Sequence, residues 1–302
     1  MNLNSTWSAL EESYNRFNGI SFEGSLNAIA ELNLPSDWFI WLVAVMFFGD
    51  EPISSGEFMC ALPYGWQAAL EERFASAARQ GYLTGDGAGG YRPTKKGTDA
   101  VRRMVQADSD IVSPLRPIPE ADAARLLSYL NRIADGALAA PEPTSNFIIS
   151  HTRKHMHPGR DASVNVLTVQ YLNELEGYRT DAHSAAWRTH NVAGHAWDAF
   201  SHLWWNGAST LDQLYEMLQY NEVPKEVYAA DLLGLAKQGW VREEAGAFQV
   251  TEAGRKIRDE AEALTDKYFF APWACLNESE LEELASLASQ LRDGLIDSSK
   301  TL

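Results

Sequence analysis

Two stretches of this chain repeat one another. GYLTGDGAGGYRPTKKGTDAVRRM, from Gly81, and GWVREEAGAFQVTEAGRKIRDEA, from Gly239, share one order: glycine, aromatic, aliphatic, a polar turn with glycine, an aromatic, then Thr-x-x-Gly and a charged amphipathic helix. One unit is used twice. Its turn chemistry predicts two short strands closing on a tight turn, followed by a helix.

The segments ahead of each copy read as helices. Before the first lies the apolar run Trp38 to Phe48, with Ser36 or Asp37 as N-cap. A short helix restarts at Ser54 or Ser55 with Glu57. Gly65 to Gln80 then carries Trp66, Leu70 and Phe74 at helical spacing and ends at Gly81. Before the second copy, Trp197 to Trp205, Thr210 to Tyr220 and Lys225 to Gln238 fill the same slots, with Pro224 at an N-terminal position. Helices, a two-stranded wing and a closing helix follow one another in the winged-helix order. The glycines of GDGAGG sit between strands with no GK[ST] after them, which makes them a hairpin tip and not a phosphate cradle.

Around the repeat, Asn2 to Asn33 is amphipathic, with Trp7, Leu10, Tyr14 and Phe17 three or four residues apart. Ser113 to Pro119 reads as a linker and Ala121 to Ala139 as an amphipathic helix. APEPTSN is a break, Phe147 to Ser150 a short apolar piece, and HTRKHMHPGRDAS a loop. Asn165 to His190 is helical, with Val166, Val169, Leu172, Leu175 and Tyr178 on one face. Glu278 to Leu291 places Leu281, Leu284, Leu287 and Leu291 for packing on its own chain or for a homodimer, and a polar tail follows. The expected architecture is mainly α: tandem winged-helix units, each with a small β-hairpin wing, joined by a helical His-rich segment. The expected domains are 1–36, an N-terminal helix; 37–112, the first winged helix; 113–194, the connecting segment; 195–275, the second winged helix; and 276–302, the C-terminal helix and tail.

The chain has 302 residues, 45% apolar and 22% charged, enough for two domains with real cores. Its longest apolar run, WFIWLVAVMFF, is shorter than the ~20 residues of a membrane span. Cys60 and Cys275 read as unpaired core thiols, and with no signal-like start the expected compartment is the cytoplasm. A net charge of −16 opposes non-specific attraction to phosphate backbones, so nucleic-acid binding requires a local basic patch.

All seven histidines lie between His151 and His202, and four of them fall in Arg179 to Trp205, RTDAHSAAWRTHNVAGHAWDAFSHLWW, the joint between the two halves. Helical spacing puts His183 and His190 on one face, and His195, Asp198 and His202 on another. Asn191 to Gly194 breaks the helix between the two groups. No HExxH, paired ExxH or CxxC spacing occurs, so no metal is assigned, and the cofactor is left unknown. Arg179, Asp181 and His183 would spread over about 200 degrees of a helix and cannot all meet one ligand atom. A His-Asp-Arg group beside Trp187, Trp197, Trp204 and Trp205 at a domain joint nonetheless points to a small-molecule pocket. Its candidate lining is Arg179, Asp181, His183, Trp187, His190, His195, Asp198 and His202. His183 and His202 are the candidate acids or bases. No GxSxG elbow is present.

For DNA, winged helices place the third helix in the major groove and the wing on the phosphates. Region 37–104 has 7 basic and 8 acidic residues, with Arg92, Lys95, Lys96, Arg102 and Arg103 gathered at and after the first wing as a phosphate patch. Region 206–268 has 7 basic against 12 acidic residues, and its wing carries Glu243 and Glu244. The third helix of the first copy is poor in base-reading pairs, so contact by the first wing and a fold kept only as a scaffold are both open.

Thr251-x-x-Gly254, Thr265-Asp266, Pro272-Trp273, Arg179-x-Asp181-x-His183 and the later His202 resemble a family of helix-turn-helix proteins. In that family an R-x-D-x-H helix leads into a C-terminal winged helix ending in a T-D…P-W segment. The resemblance spans Tyr171 to Leu291, and the N-terminal half is similar to MarR-like, multiple-antibiotic-resistance-type winged-helix regulators. It implies the fold and points to Arg179, Asp181, His183 and His202, without implying a reaction. The expected function is a cytoplasmic, regulator-like protein binding a small molecule at the joint, with double-stranded DNA contacted by the first wing. The alternative is an enzyme of small-molecule metabolism on a winged-helix scaffold that binds no DNA.

Overall fold

The computed structural model describes residues 2–35 and 38–299, with side chains to residue 296. The expected N-cap at Ser36 or Asp37 and the end of the polar tail lie outside the described residues. The chain is mainly helical with two two-stranded sheets. α1 (Leu3–Leu32) starts at Asn2, whose side chain accepts from the backbone N–H of Asn4 and Ser5. There follow α2 (Trp38–Phe48), α3 (Ser55–Phe58), α4 (Gln67–Arg79), the hairpin β1 (Leu83–Gly85) and β2 (Tyr91–Pro93), and α5 (Lys95–Val112). Ser54 caps α3 in a full capping box with Glu57. α6 (Glu120–Ala139) and α7 (Phe147–His151) lead to α8 (Val164–Arg188), the longest element of the joint.

His151 to Met156, expected as loop, is helical. α7 runs on into a π-helical turn, Thr152–Met156. Arg153 fixes it there, donating from Nε to the buried Glu174 at 2.8 Å and from Nη1 to Asp135 at 2.8 Å. The irregular chain resumes only at His157.

Asn191, in the left-handed region at φ 55°, ends the α8 turn and reverses the chain. α9 (Gly194–Trp204), α10 (Leu211–Leu218), α11 (Lys225–Lys237), the hairpin β3 (Val241–Glu244) and β4 (Ala247–Val250), and α12 (Glu252–Phe270) then repeat the earlier order, and α13 (Glu278–Ser299) closes the chain.

The two repeats are held by one device. Thr94 Oγ1 accepts from the Gly97 N–H at 3.1 Å and donates to the Gly81 carbonyl at 2.7 Å, while the Thr94 N–H donates to the Tyr82 carbonyl at 3.0 Å. Thr251 does the same, to Gly254 at 3.0 Å, Gly239 at 2.7 Å and the Trp240 carbonyl at 2.9 Å. The threonine caps the closing helix and ties it to the strand before the hairpin. The glycine three residues on lets the backbones touch: a Cβ there would lie 2.3 Å from the Tyr82 oxygen at Gly97 and 2.0 Å from the Trp240 oxygen at Gly254.

Three cores form. Trp41, Phe48, Phe58, Phe74, Leu83 and Met104 fill the first repeat; Trp197, Phe200, Leu214, Tyr228 and Leu232 fill the second. Between them α1, α6, α8, α13 and the end of α12 pack a helical bundle around Trp7, Leu10, Phe17, Leu130, Leu172, Tyr178 and Phe269. Each such side chain contributes about 1.5–3 kcal/mol by leaving water. The leucine stripe of α13, Leu284, Leu287 and Leu291, is spent in this bundle on its own chain. α2, apolar throughout, leaves Phe39 54% exposed, and the cysteines are not core thiols: Cys60 is half-buried and Cys275 exposed. No helix among the described residues is long and apolar enough to cross a membrane.

Candidate ligand site at the joint

α8 presents Glu176, Arg179, Thr180 and His183 on one face, the i, i+3, i+4, i+7 pattern of a helix. α12 answers with Arg258, Glu262 and Thr265 at the same spacing. With Asp198 and Ser201 of α9, Glu11 of α1, Trp205, and Tyr64 from the loop before α4, they line a cavity of about 260 Å³.

Arg258 is its most unusual member. Only 2% exposed, its guanidinium lies between the rings of Trp197 and Trp204, 4.7 and 4.8 Å from their centres. Nη2 donates to Glu262 at 2.8 Å, but Nε and Nη1 are buried without a hydrogen-bond partner among the described residues. Burial pushes its pKa down, against the pull of Glu262. A buried donor left unpaired costs about 1–3 kcal/mol, so two on one cation mark a place where a partner is missing.

His183 is held from both sides. The Trp197 indole donates to Nε2 at 3.3 Å, and Nδ1 faces Thr265 Oγ1 at 3.3 Å. Burial, with the charges of Arg258 and Arg179 added, lowers its pKa to about 3. It is a neutral imidazole at pH 7 and has no free lone pair to act as a base.

Glu176 behaves oppositely. Burial, helped by the charge of Glu11, raises it to about 7, and its Oε2 is buried with no hydrogen-bond partner among the described residues. Arg179 pairs with Asp266 at 3.1 Å and lies over the Phe269 ring.

Of the eight residues expected to line one pocket, Arg179, His183 and Asp198 do so. Asp181 does not: buried on another side of α8, it accepts from the backbone N–H of Ile148 at 2.9 Å and Ile149 at 3.2 Å and so caps α7. Burial raises its pKa to about 7 against those two donors. Trp187 and His190 are stacked against Trp197. His195 turns to Asp231 of α11, Nδ1 to Oδ2 at 2.6 Å, so His195, Asp198 and His202 do not converge. His202 stands 3.8 Å from Asp198, beside the Trp205 ring. Burial disfavours charge on both, lowering His202 and raising Asp198. Among the described residues no three His, Cys, Asp or Glu side chains gather as metal ligands would. Tyr64, Glu176, Arg258 and Glu262 escaped the sequence reading, and Thr265 entered it only as part of the Thr265-Asp266 motif, not as a site residue. The shared i, i+4, i+7 spacing of polar residues on α8 and α12 is the signal that would have found the helical four.

The candidate phosphate contacts are already engaged. Lys95 and Arg102 share Asp99, Arg103 pairs with Glu31 at 2.7 Å, and Arg92 donates to the Asp50 carbonyl at 3.3 Å. Lys96 donates to the Gln80 carbonyl at 2.9 Å and covers the Tyr82 ring, which makes it part of the fold. α4 is joined to the second repeat at its N-cap and at its middle: the Trp66 N–H donates to the Asn221 carbonyl at 3.1 Å, and Arg73 forks onto Glu222 at 2.5 and 2.6 Å.

Residues 161–301 match the model of a helix-turn-helix family. The match takes in α8 to α13, a little under half of the 302 residues, and so covers the second repeat and most of the cavity wall. No curated protein and no solved structure matches the chain.

Proposed function

We propose that this is a regulator-like helix-turn-helix protein built from two winged-helix units, which binds a small molecule at their joint and contacts DNA through the first hairpin and the head of α5. The observation that carries the ligand reading is Arg258, buried between two tryptophans in a cavity wall with two N–H groups unpaired. Those donors ask for an acceptor, and the buried Glu176 Oε2 asks for a donor. A ligand group that offers both, such as an amide or a hydroxy-carbonyl, complements the cavity.

The test is a thermal-shift panel of small metabolites on the wild-type protein and on Arg258→Met. A ligand at a hundred times its Kd stabilises by about 2.7 kcal/mol, which at this size moves Tm by several degrees. Any hit of the wild type should vanish in the variant; hits of equal size in both would place the site elsewhere.

A second reading, an enzyme on the same scaffold, draws on Glu176, whose pKa near 7 suits a general acid or base. His183, with both nitrogens engaged, does not suit that role. Turnover of a panel hit that is lost in Glu176→Gln while binding is kept would favour it.

A further inference from the structure

Next to the polar cavity runs a second cleft of about 480 Å³, walled by Phe39, Leu62, Pro63, Trp66, Leu70 and Tyr220. Its walls come from both repeats. Among the described residues that line it, the charged ones are Arg73 and Glu222, which are bonded to each other. Tyr64 and Thr180 line both cavities, so the two adjoin through those side chains. Three of the large apolar side chains left in water lie here: Phe39 is 54% and Tyr220 68% exposed at this cleft, and Trp205 is 53% exposed at the polar one. Exposed aromatics gathered on the rims of a concave apolar surface are what a ligand site presents before it is filled.

We infer that the ligand is amphipathic: a flat, apolar body lies in the Phe39 to Tyr220 cleft, and an uncharged polar head passes Tyr64 to meet Arg258 and Glu176. This rests on the reading of the polar cavity as a ligand site and extends it. An anionic head is disfavoured because Glu11, Glu176, Asp198 and Glu262 all line the head cavity, against Arg179 and Arg258, each already paired with a carboxylate. A neutral carbonyl accepts from Arg258 without being repelled by the acids, and an adjoining hydroxyl or amide N–H satisfies Glu176.

The test uses prodan, a neutral naphthyl ketone whose emission moves to the red when its carbonyl is hydrogen-bonded. Fluorescence titration of the full chain should show saturable binding at one site. Phe39→Ala/Tyr220→Ala removes two exposed rings that the cores do not use, and should weaken binding by about tenfold or more, with the circular dichroism and melting temperature unchanged. Arg258→Met should move the bound emission to the blue, since the carbonyl loses its donor; Arg258→Lys, which keeps a donor, should restore part of the red shift. No saturable binding by the wild type, or equal binding by the double variant, overturns the amphipathic ligand. In either case an Arg258-dependent hit in the thermal-shift panel would leave the head cavity standing as a site for smaller polar molecules. An emission unchanged in Arg258→Met overturns the placement of the head.

Discussion

The indole Nε1 of Trp197 donates to Nε2 of His183 at 3.3 Å. That contact makes Nε2 the acceptor and puts the ring proton on Nδ1, facing Thr265, which itself donates to the Ala261 carbonyl at 2.8 Å. A nitrogen-15 spectrum should therefore show a single neutral tautomer, unchanged between pH 8 and pH 5 as ordinary histidines titrate. The stability consequence has a definite sign. With the folded pKa near 3 against an ordinary 6.5, the unfolded chain takes a proton first as pH falls. Stability is complete above about pH 6.5 and declines below it by up to about 1.4 kcal/mol per pH unit. His183→Gln should flatten that limb of a urea-unfolding series by one proton; an unchanged slope would show that His183 titrates normally.

Glu176 gives the opposite dependence. Its folded pKa near 7 stands above the ordinary 4.5, so its favourable contribution is complete below about pH 4.5 and is lost as pH rises through 7. Glu176→Gln keeps the shape and removes the charge. Compared with the wild type, the variant should gain about 1–3 kcal/mol between pH 5 and pH 8. Equal differences at both pH values would mean that the carboxylate is solvated and ordinary.

The mainly helical character and the two hairpins were legible because they are local chemistry: Thr-x-x-Gly, a glycine turn and 3.6-residue apolar spacing each specify a cap, a hairpin or a helix face within a few residues. The break at Asn191 to Gly194 was legible for the same reason. The site was less so. Arg179-x-Asp181-x-His183 reads as one group, yet alternate residues on a helix face apart, and Asp181 serves α7 while its neighbours face α12. His151 to Met156 read as polar loop because its anchor, Glu174, lies on another helix. Arg258 and Tyr64 come from elements far from the histidines in sequence, and only packing brings them to His183.

Asp181 should behave as a cap. Its two backbone donors, Ile148 and Ile149, open α7, and replacing a capping carboxylate by alanine costs about 0.5–2 kcal/mol. Asp181→Ala should lower the urea midpoint accordingly and speed hydrogen exchange of those two amides before that of the cores. Asp181→Asn, which retains an acceptor, should lose less. Loss of ligand binding in Asp181→Asn with normal exchange at Ile148 and Ile149 would return Asp181 to the site.

The two Thr-x-x-Gly devices predict matched damage. A Cβ at Gly97 or Gly254 meets a backbone oxygen that cannot swing away, at 2.3 and 2.0 Å. Gly97→Ala and Gly254→Ala should each cost about 1–3 kcal/mol or more by overpacking. Because they lie in separate cores, their effects in the double variant should add to within a few tenths of a kcal/mol. A neutral alanine at either position would mean that the closing helix is not pressed on the strand.

DNA contact meets an obstacle in the Arg73–Glu222 fork and the Trp66–Asn221 bond, because a recognition helix enters the major groove by its N-terminal residues and here α4 is joined to the second repeat both at its N-cap, Trp66, and at its middle, Arg73. Glu222→Ala removes the fork and a negative charge, and in a low-salt mobility-shift assay should raise affinity for duplex fragments by about tenfold. The phosphate contacts themselves are best probed at Lys95 and Arg102, whose side chains are 88% and 70% exposed. Lys96 is unsuitable because it also holds Gln80 and Tyr82. Lys95→Ala/Arg102→Ala should reduce the slope of log affinity against log salt by about 1.8, two phosphates' worth. If Glu222→Ala changes nothing and no fragment shifts at low salt, α4 is not a reading helix, and the two repeats serve only to frame the joint.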